Sequence, residues 1–223
     1  MRVLYLHGFA SSAKSSKAAF FAAKLAARGT TLETPDLNEP DFSTLTISRM
    51  VQQVVDAIES GGSPAALIGS SLGAFVAVQT AVKRPVLVPR LVLLAPALDF
   101  GGDRMKDFGD RGLEAWKASN SLNVFHYGYG RVIPVHYQLY ADARGHDCTN
   151  APLDMPVQVF RGRRDTVVDP ATVERWCRAR PNVELHMLED DHQLLGSLEV
   201  IWTECSRFLG RGDAPVSPAH PKS

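Results

Sequence analysis

The sequence has no net charge, no cysteine pair and no long apolar run, and each absence removes a class of function. Across 223 residues, 24 Lys and Arg are balanced by 24 Asp and Glu. Nucleic acids and anionic membranes are bound through concentrated positive charge, so neither is an expected partner. Cys148, Cys177 and Cys205 are odd in number and widely spaced, and no Cys-x-x-Cys occurs. This reads as a reduced, cytoplasmic protein and not a disulfide scaffold. The apolar runs stop far short of the ~20 residues that a membrane helix needs. Only Val3 to Leu6 separate Arg2 from His7, against about 7–15 apolar residues in a secretory leader.

What is present is an alternation. Val3–Leu6, Thr30–Glu33, Ala65–Ile68, Leu91–Leu94, Val157–Phe160 and Val183–Leu188 are short apolar runs that read as strands. Helical patterns separate them: Ser16–Arg28 closed by Gly29, an amphipathic stretch over 44–60, an almost wholly apolar one over Leu72–Val82, one opened by Asp169-Pro170, and one over Leu194–Leu209. Strand–helix alternation predicts an α/β fold, a mostly parallel sheet with helices on both faces. Residues 1–209 read as one domain and 210–223 as a disordered tail. Residues 99–150 break the rhythm with four of the five tyrosines, a hairpin over Val124–Val135 and a helix near His136–Arg144. They read as an aromatic cap inserted between two strands. Its Phe100, Trp116, Phe125, Tyr127 and Tyr129 are the expected lining of a substrate pocket.

Gly69-Ser70-Ser71-Leu72-Gly73 is the sharpest chemical signal. Gly-x-Ser-x-Gly between a strand and a buried helix lifts the middle serine onto a strained turn above a helix N-terminus. A nucleophilic serine needs a base and an acid that orients the base. His192, in the loop before the last helix, is the candidate base. His186 lies inside a strand, and His126, His136 and His146 lie in the insertion without the spacing of a metal site. Asp165 follows a strand and a turn and is the candidate acid; Asp169 is its rival, already explained as a helix cap. The oxyanion would be met by the N–H groups of Leu72 and Phe9, the latter in the loop His7–Ala10, with His7 a structural support.

Gly8 to Ser15 also approaches a phosphate loop. However, Ala13 stands where the second glycine should be, and Ala95-Pro96 follows the strand that should deliver a magnesium-binding Asp. Nucleotide hydrolysis is disfavoured.

These residues resemble the α/β-hydrolase superfamily, and more narrowly the YqiA-like esterases, the UPF0227 group. The resemblance rests on Leu4-Tyr5-Leu6-His7-Gly8-Phe9-Ala10-Ser11-Ser12, on Ser16-Lys17-Ala18, on the elbow, and on Asp165-Thr166-Val167-Val168 and Asp191-His192. It covers about residues 2–209 and implies an α/β-hydrolase fold, esterase or thioesterase activity, no metal and no organic cofactor. The expected function is cleavage of small-molecule carboxylic esters with short to medium acyl chains. Thioesters or small amides are the alternative, and a non-catalytic binding protein is a weaker one. Nothing in the sequence speaks to oligomeric state.

Overall fold

Strand β1 (Arg2–Leu6) shows how the core divides. Leu4 and Leu6 enter one apolar cluster, and Val3 and Tyr5 enter another. A strand that is apolar on both faces must be covered on both. The computed structural model, which describes residues 1–102 and 109–210, meets that demand with a central sheet. Its other strands are β2 (Leu32–Glu33), β3 (Ala65–Ser70), β4 (Leu91–Leu94), β7 (Val157–Gly162) and β8 (Val183–Leu188). Between β4 and β7 the chain forms a separate antiparallel hairpin, β5 (Ser121–His126) with β6 (Arg131–His136). The sheet order is β2-β1-β3-β4-β7-β8, and every neighbouring pair is parallel.

The helices fill the two faces. Residues of α2 (Ile47–Ser60), α3 (Leu72–Lys83) and α6 (Pro170–Arg178) pack with Leu4, Leu67, Leu93 and Val159. Residues of α1 (Ser16–Ala26) and α7 (Leu198–Gly210) pack with Tyr5, Ile68, Val92 and Phe160. Local chemistry sets the helix ends: Ser15 caps α1, Thr46 caps α2 and Asp169 caps α6, each accepting a first-turn N–H. Gly29, at φ +71°, follows α1 in the left-handed conformation that closes a helix. No helix of the described residues is long and apolar enough to cross a membrane.

Most expected elements fall where the pattern puts them. Strand β2 shrinks to two residues. The helix expected from 44 begins at Ile47 after a 3₁₀ turn over Phe42–Thr44, and the last begins at Leu198 after a 3₁₀ turn over Leu195–Ser197. The insertion holds the expected hairpin and α5 (Gln138–Ala143), together with an unforeseen helix, α4 (Gly109–Ser119). Trp116, Val135, Leu139 and Tyr140 tie it into the first cluster. Gly210, expected to open the tail, is instead the last residue of α7; the rest of the expected tail, 211–223, lies outside the described residues.

One topological feature positions the chemistry. The chain runs from β1 outward to β2, then returns past β1 to β3 and proceeds to β4. Ligands of such sheets bind beyond the carboxyl ends of the strands, where this direction reverses. Here that point is the end of β1 and β3.

Candidate active site

Ser71 follows β3 directly and is the N-cap of α3, at φ +53° and ψ −115°. For a non-glycine residue this backbone costs about 1–3 kcal/mol and persists only where its surroundings enforce it. They do. Ser71 N donates to the Leu94 carbonyl at 2.9 Å, and Ala97 N donates to the Ser71 carbonyl at 3.3 Å. The flanking glycines let α3 lie against the sheet. A Cβ at Gly69 would sit 2.5 Å from the Gly73 carbonyl oxygen, and one at Gly73 would overlap the Leu6 carbonyl. The two adjacent serines part company: Ser70 is buried with its hydroxyl against Tyr5, while Ser71 is half-buried at the open end of the sheet.

Asp165 and His192 arrive from the loops that follow β7 and β8. After β7 and β8, Arg163 N donates to the Leu188 carbonyl and Arg164 N to that of Asp190, which knits the loops together. His192 Nδ1 lies 2.9 Å from Asp165 Oδ2, and its Nε2 lies 3.1 Å from Ser71 Oγ. Asp165 Oδ1 accepts from Val167 N and Val168 N at 2.9 and 3.0 Å. Burial pushes this carboxyl's pKa up, but the bonds from His192, Val168 and Val167 outweigh it, so the net shift is downward. A carboxylate so held keeps the imidazole proton on Nδ1 and leaves Nε2 to accept from the serine hydroxyl. Asp169 caps α6 through Ala171 N and Thr172 N, and His186 stacks on Phe160 at 4.5 Å within the sheet.

The loop after β1 reaches the same point. A Cβ on Gly8 would stand 3.4 Å from that of Ser71. His7 is 3% exposed; its Nδ1 lies 2.9 Å from the Gly8 carbonyl, and its Nε2 accepts from Leu37 N at 3.0 Å. The ring orients the loop, the role expected for it. Phe9 follows Gly8, and Leu72 opens α3, so both N–H groups belong to segments beside Ser71. Ala10, Ser71, Ala95 and Leu194 are four of the five non-glycine residues with positive φ among those described. All four lie just beyond the carboxyl ends of strands, so backbone strain is concentrated at this end of the sheet.

The cap aromatics are placed unequally. Trp116 is buried and donates its indole N–H to the Val135 carbonyl at 2.9 Å. Phe100 packs against Phe75 with ring centroids 6.1 Å apart. Phe125, Tyr127 and Tyr129 are exposed on the hairpin, whose tip clasps the Phe9 loop: Tyr127 N donates to the Ala10 carbonyl at 2.8 Å. A cleft of about 1110 Å³ opens instead at the other end of the sheet, beside Arg2, Arg28 and Trp202. It contains none of Ser71, Asp165 and His192. Its arginines are engaged, Arg2 with Glu33 and Arg28 over the Trp202 ring.

One charged side chain of the opening motif has a place that its helical pattern did not foretell. Lys17 is 9% exposed on α1 and donates to the Gln193 carbonyl at 2.8 Å, one residue beyond His192. The available signal was its place on the buried stripe Lys17, Phe21, Leu25.

A parallel sheet with a Gly-x-Ser-x-Gly elbow at its switch point and Asp and His on later loops defines an α/β-hydrolase fold, and solved structures agree. Est1E from Butyrivibrio proteoclasticus, solved with ferulic acid bound, superposes with a TM-score of 0.79 at 15% identity, over 93% of this chain and 87% of its own. Mouse alpha/beta hydrolase domain-containing protein 10 gives 0.78 at 18%, over 93% and 88%. A structure of the metagenome-derived lipolytic enzymes LipS and LipT gives 0.73 at 20%, over 93% and 92%. The chain belongs to the uncharacterised protein family UPF0227, whose model matches residues 2–205. No curated protein sequence matches it.

Proposed function

We propose that this protein is a serine hydrolase of carboxylic esters with short to medium acyl chains. The observation that carries the reading is the continuous chain Ser71 Oγ, His192 Nε2 and Nδ1, Asp165 Oδ2, with separations of 3.1 and 2.9 Å on a strained elbow. Ser71 Oγ attacks the ester carbonyl carbon while His192 Nε2 takes its proton. The carbonyl oxygen gains negative charge and is met by the N–H groups of Phe9 and Leu72. His192 returns the proton to the departing alkoxide as the C–O bond breaks, leaving an acyl-serine. Water, deprotonated by His192, then releases the acid and restores Ser71. The sequence of steps calls on no metal or organic cofactor. The balanced charge argues against nucleic acid or membrane as partner, and three free, buried thiols are in keeping with a cytoplasmic setting.

The substrate class rests on the cap. Trp116 is committed to packing, so Phe125, Tyr127, Tyr129 and part of Phe100 are the aromatic surface left to meet an acyl group. The bond from Tyr127 N to the Ala10 carbonyl ties the hairpin tip to the Phe9 loop and supports this reading. Each buried CH₂ adds about 0.8 kcal/mol until the surface ends. Est1E, with ferulic acid bound, and the lipolytic LipS and LipT share the fold and support an ester reading.

The test is a panel of p-nitrophenyl esters and acyl-CoA thioesters of graded length, with fluorophosphonate labelling. kcat/KM is expected to rise over the first few carbons and then fall. Ser71→Ala should lose turnover by ~10³-fold or more and lose labelling while remaining folded. Retained turnover in Ser71→Ala with loss in Ser70→Ala would overturn the assignment. Thioesters outpacing every ester would move the substrate class but keep the triad.

A further inference from the structure

Lys17 is an expensive residue where it stands. The buried stripe of α1 is Lys17, Ala18, Phe21 and Leu25, and an apolar side chain at 17 would continue it without desolvating a charge. The ammonium instead crosses to the far end of the chain, 176 residues on, and donates to the Gln193 carbonyl. The receiving loop carries His192 and is braced on either side of it: Asp190 N donates to the Leu188 carbonyl at 2.9 Å, Arg164 N to the Asp190 carbonyl at 3.0 Å and Leu194 N to the Asp191 carbonyl at 3.3 Å. Gln193 N donates to Asp191 Oδ1 at 2.8 Å and Asp191 N to Asp190 Oδ1 at 2.8 Å, while buried Leu194 sits at φ +55°. The residue after His192 is thus held by its N–H from within the loop and by its C=O from α1. The carboxylates that face Lys17 come from two loops: Asp165 after β7, and Asp190 and Asp191 after β8.

We infer that Lys17 is a positioning residue for the acid–base step: by anchoring the Gln193 carbonyl to α1, it fixes the His192 imidazole between Asp165 and Ser71. This rests on the triad reading proposed above. Lys17 touches neither substrate nor reacting atoms; it acts through the backbone on which His192 stands. A displacement of about 1 Å in such a base costs on the order of 10²-fold in rate, whereas substrate binding is left largely intact.

A further property follows from its surroundings. Burial lowers the Lys17 pKa to about 8, against the pull of Asp191, Asp190 and Asp165. Above that pH a charge-assisted bond becomes a weaker neutral one, and the hold on the loop slackens. The fold does not slacken with it. A lysine whose folded pKa lies below its unfolded 10.5 makes folding more favourable as pH rises from about 8 to 10.5. Activity and stability are therefore driven in opposite directions by the same proton.

The experiment compares wild type, Lys17→Met and Lys17→Arg in steady-state ester hydrolysis from pH 7 to 9. Urea unfolding and the NMR resonance of the His192 Nδ1 proton are followed in parallel. Folded Lys17→Met is expected to lose ~10–100-fold in kcat with KM changed less than about threefold, and to shift or lose the His192 resonance. Lys17→Arg is expected to restore most of kcat and the resonance. It should also keep a flat kcat where wild type declines several-fold above pH 8. If folded Lys17→Met keeps wild-type kcat and resonance, or loses only stability, the assignment is wrong. If Lys17→Met does not fold, Lys17→Arg decides: a decline parallel to wild type above pH 8 overturns the proposal. Absence of wild-type labelling at Ser71, or full activity in Ser71→Ala, marks a different failure. It would sink the triad itself and the Lys17 role with it.

Discussion

A carboxylate that accepts two backbone N–H bonds and one from an imidazole holds that imidazole in a single tautomer. Asp165 has this arrangement through Val167, Val168 and His192. An amide in its place would offer an NH₂ or a weaker oxygen and favour the wrong ring proton. Asp165→Asn is therefore expected to lower kcat/KM by ~10³–10⁴-fold. Asp169→Asn should stay within about twofold of wild type, because Asn and Asp cap helices almost equally well. Ester kinetics on the two variants check this, and exchanged phenotypes would move the acid to Asp169. At this scale the sequence is informative wherever a residue follows a strand-like run. Ser71, Asp165 and His192 each sit a few positions after one, and parallel strands bring their carboxyl ends together. Lys17 could not be read the same way. Its partner is a main-chain carbonyl in a distant loop, and carbonyls leave no mark on the sequence.

Helix α3 lies at close range across the end of β1. Gly73 in α3 is close enough that an added Cβ overlaps the Leu6 carbonyl and falls 2.6 Å from the His7 carbonyl oxygen. Two effects compete in Gly73→Ala. Helix propensity favours alanine by about 0.8–1.0 kcal/mol, and overpacking opposes it by about 1–3 kcal/mol. Because the obstructing atoms are backbone, the clash is expected to win. The variant should lower the urea midpoint and also the rate of fluorophosphonate labelling, since moving β1 moves the Phe9 loop. Gly210→Ala, with nothing within 4 Å of the new Cβ, should do neither. A Gly73→Ala more stable than wild type would show that the helix can retreat freely. The same packing explains what was legible among the elements. Strands buried on both faces announce themselves as apolar runs, as in Leu91–Leu94. Helix α4 does not, because it offers little beyond half-buried Leu113 and buried Trp116. Its form is set by the hairpin, through the bond from Trp116 to Val135, and tertiary contact of that kind overrides local propensity.

Over the whole molecule, the two apolar layers hold all three cysteines, and burial pushes each thiol up to about 12. The Tyr5 phenol is pushed up to about 12 in the same way. Groups that keep their protons longer when folded contribute stability that is full below their unfolded values, 9.0 for the thiols and 10.0 for the phenol, and is lost as pH rises toward 12. Urea midpoints are expected to hold between pH 8 and 9, where the gain from Lys17 offsets the first loss from the thiols, and then to fall as the thiols and the phenol dominate. A thiol reagent at pH 8 should modify the three cysteines only once urea has unfolded the chain. Rapid modification of the native protein would contradict the burial of these side chains. The order of the strands also governs when the molecule can first act. Synthesis delivers the N-terminal part first, so β1, β3 and the serine elbow can assemble while β8 is still unmade. Ser71 and His192 are separated by 121 residues, and the clamp from α1 closes on a loop that leaves the ribosome later still. A nascent or truncated chain ending before the His192 loop would display the strained serine without the imidazole proposed as its base. On the proposed function, competence to hydrolyse therefore waits for the His192 loop, and the return of activity during refolding is a clock for closure of the sheet from β1 to β8.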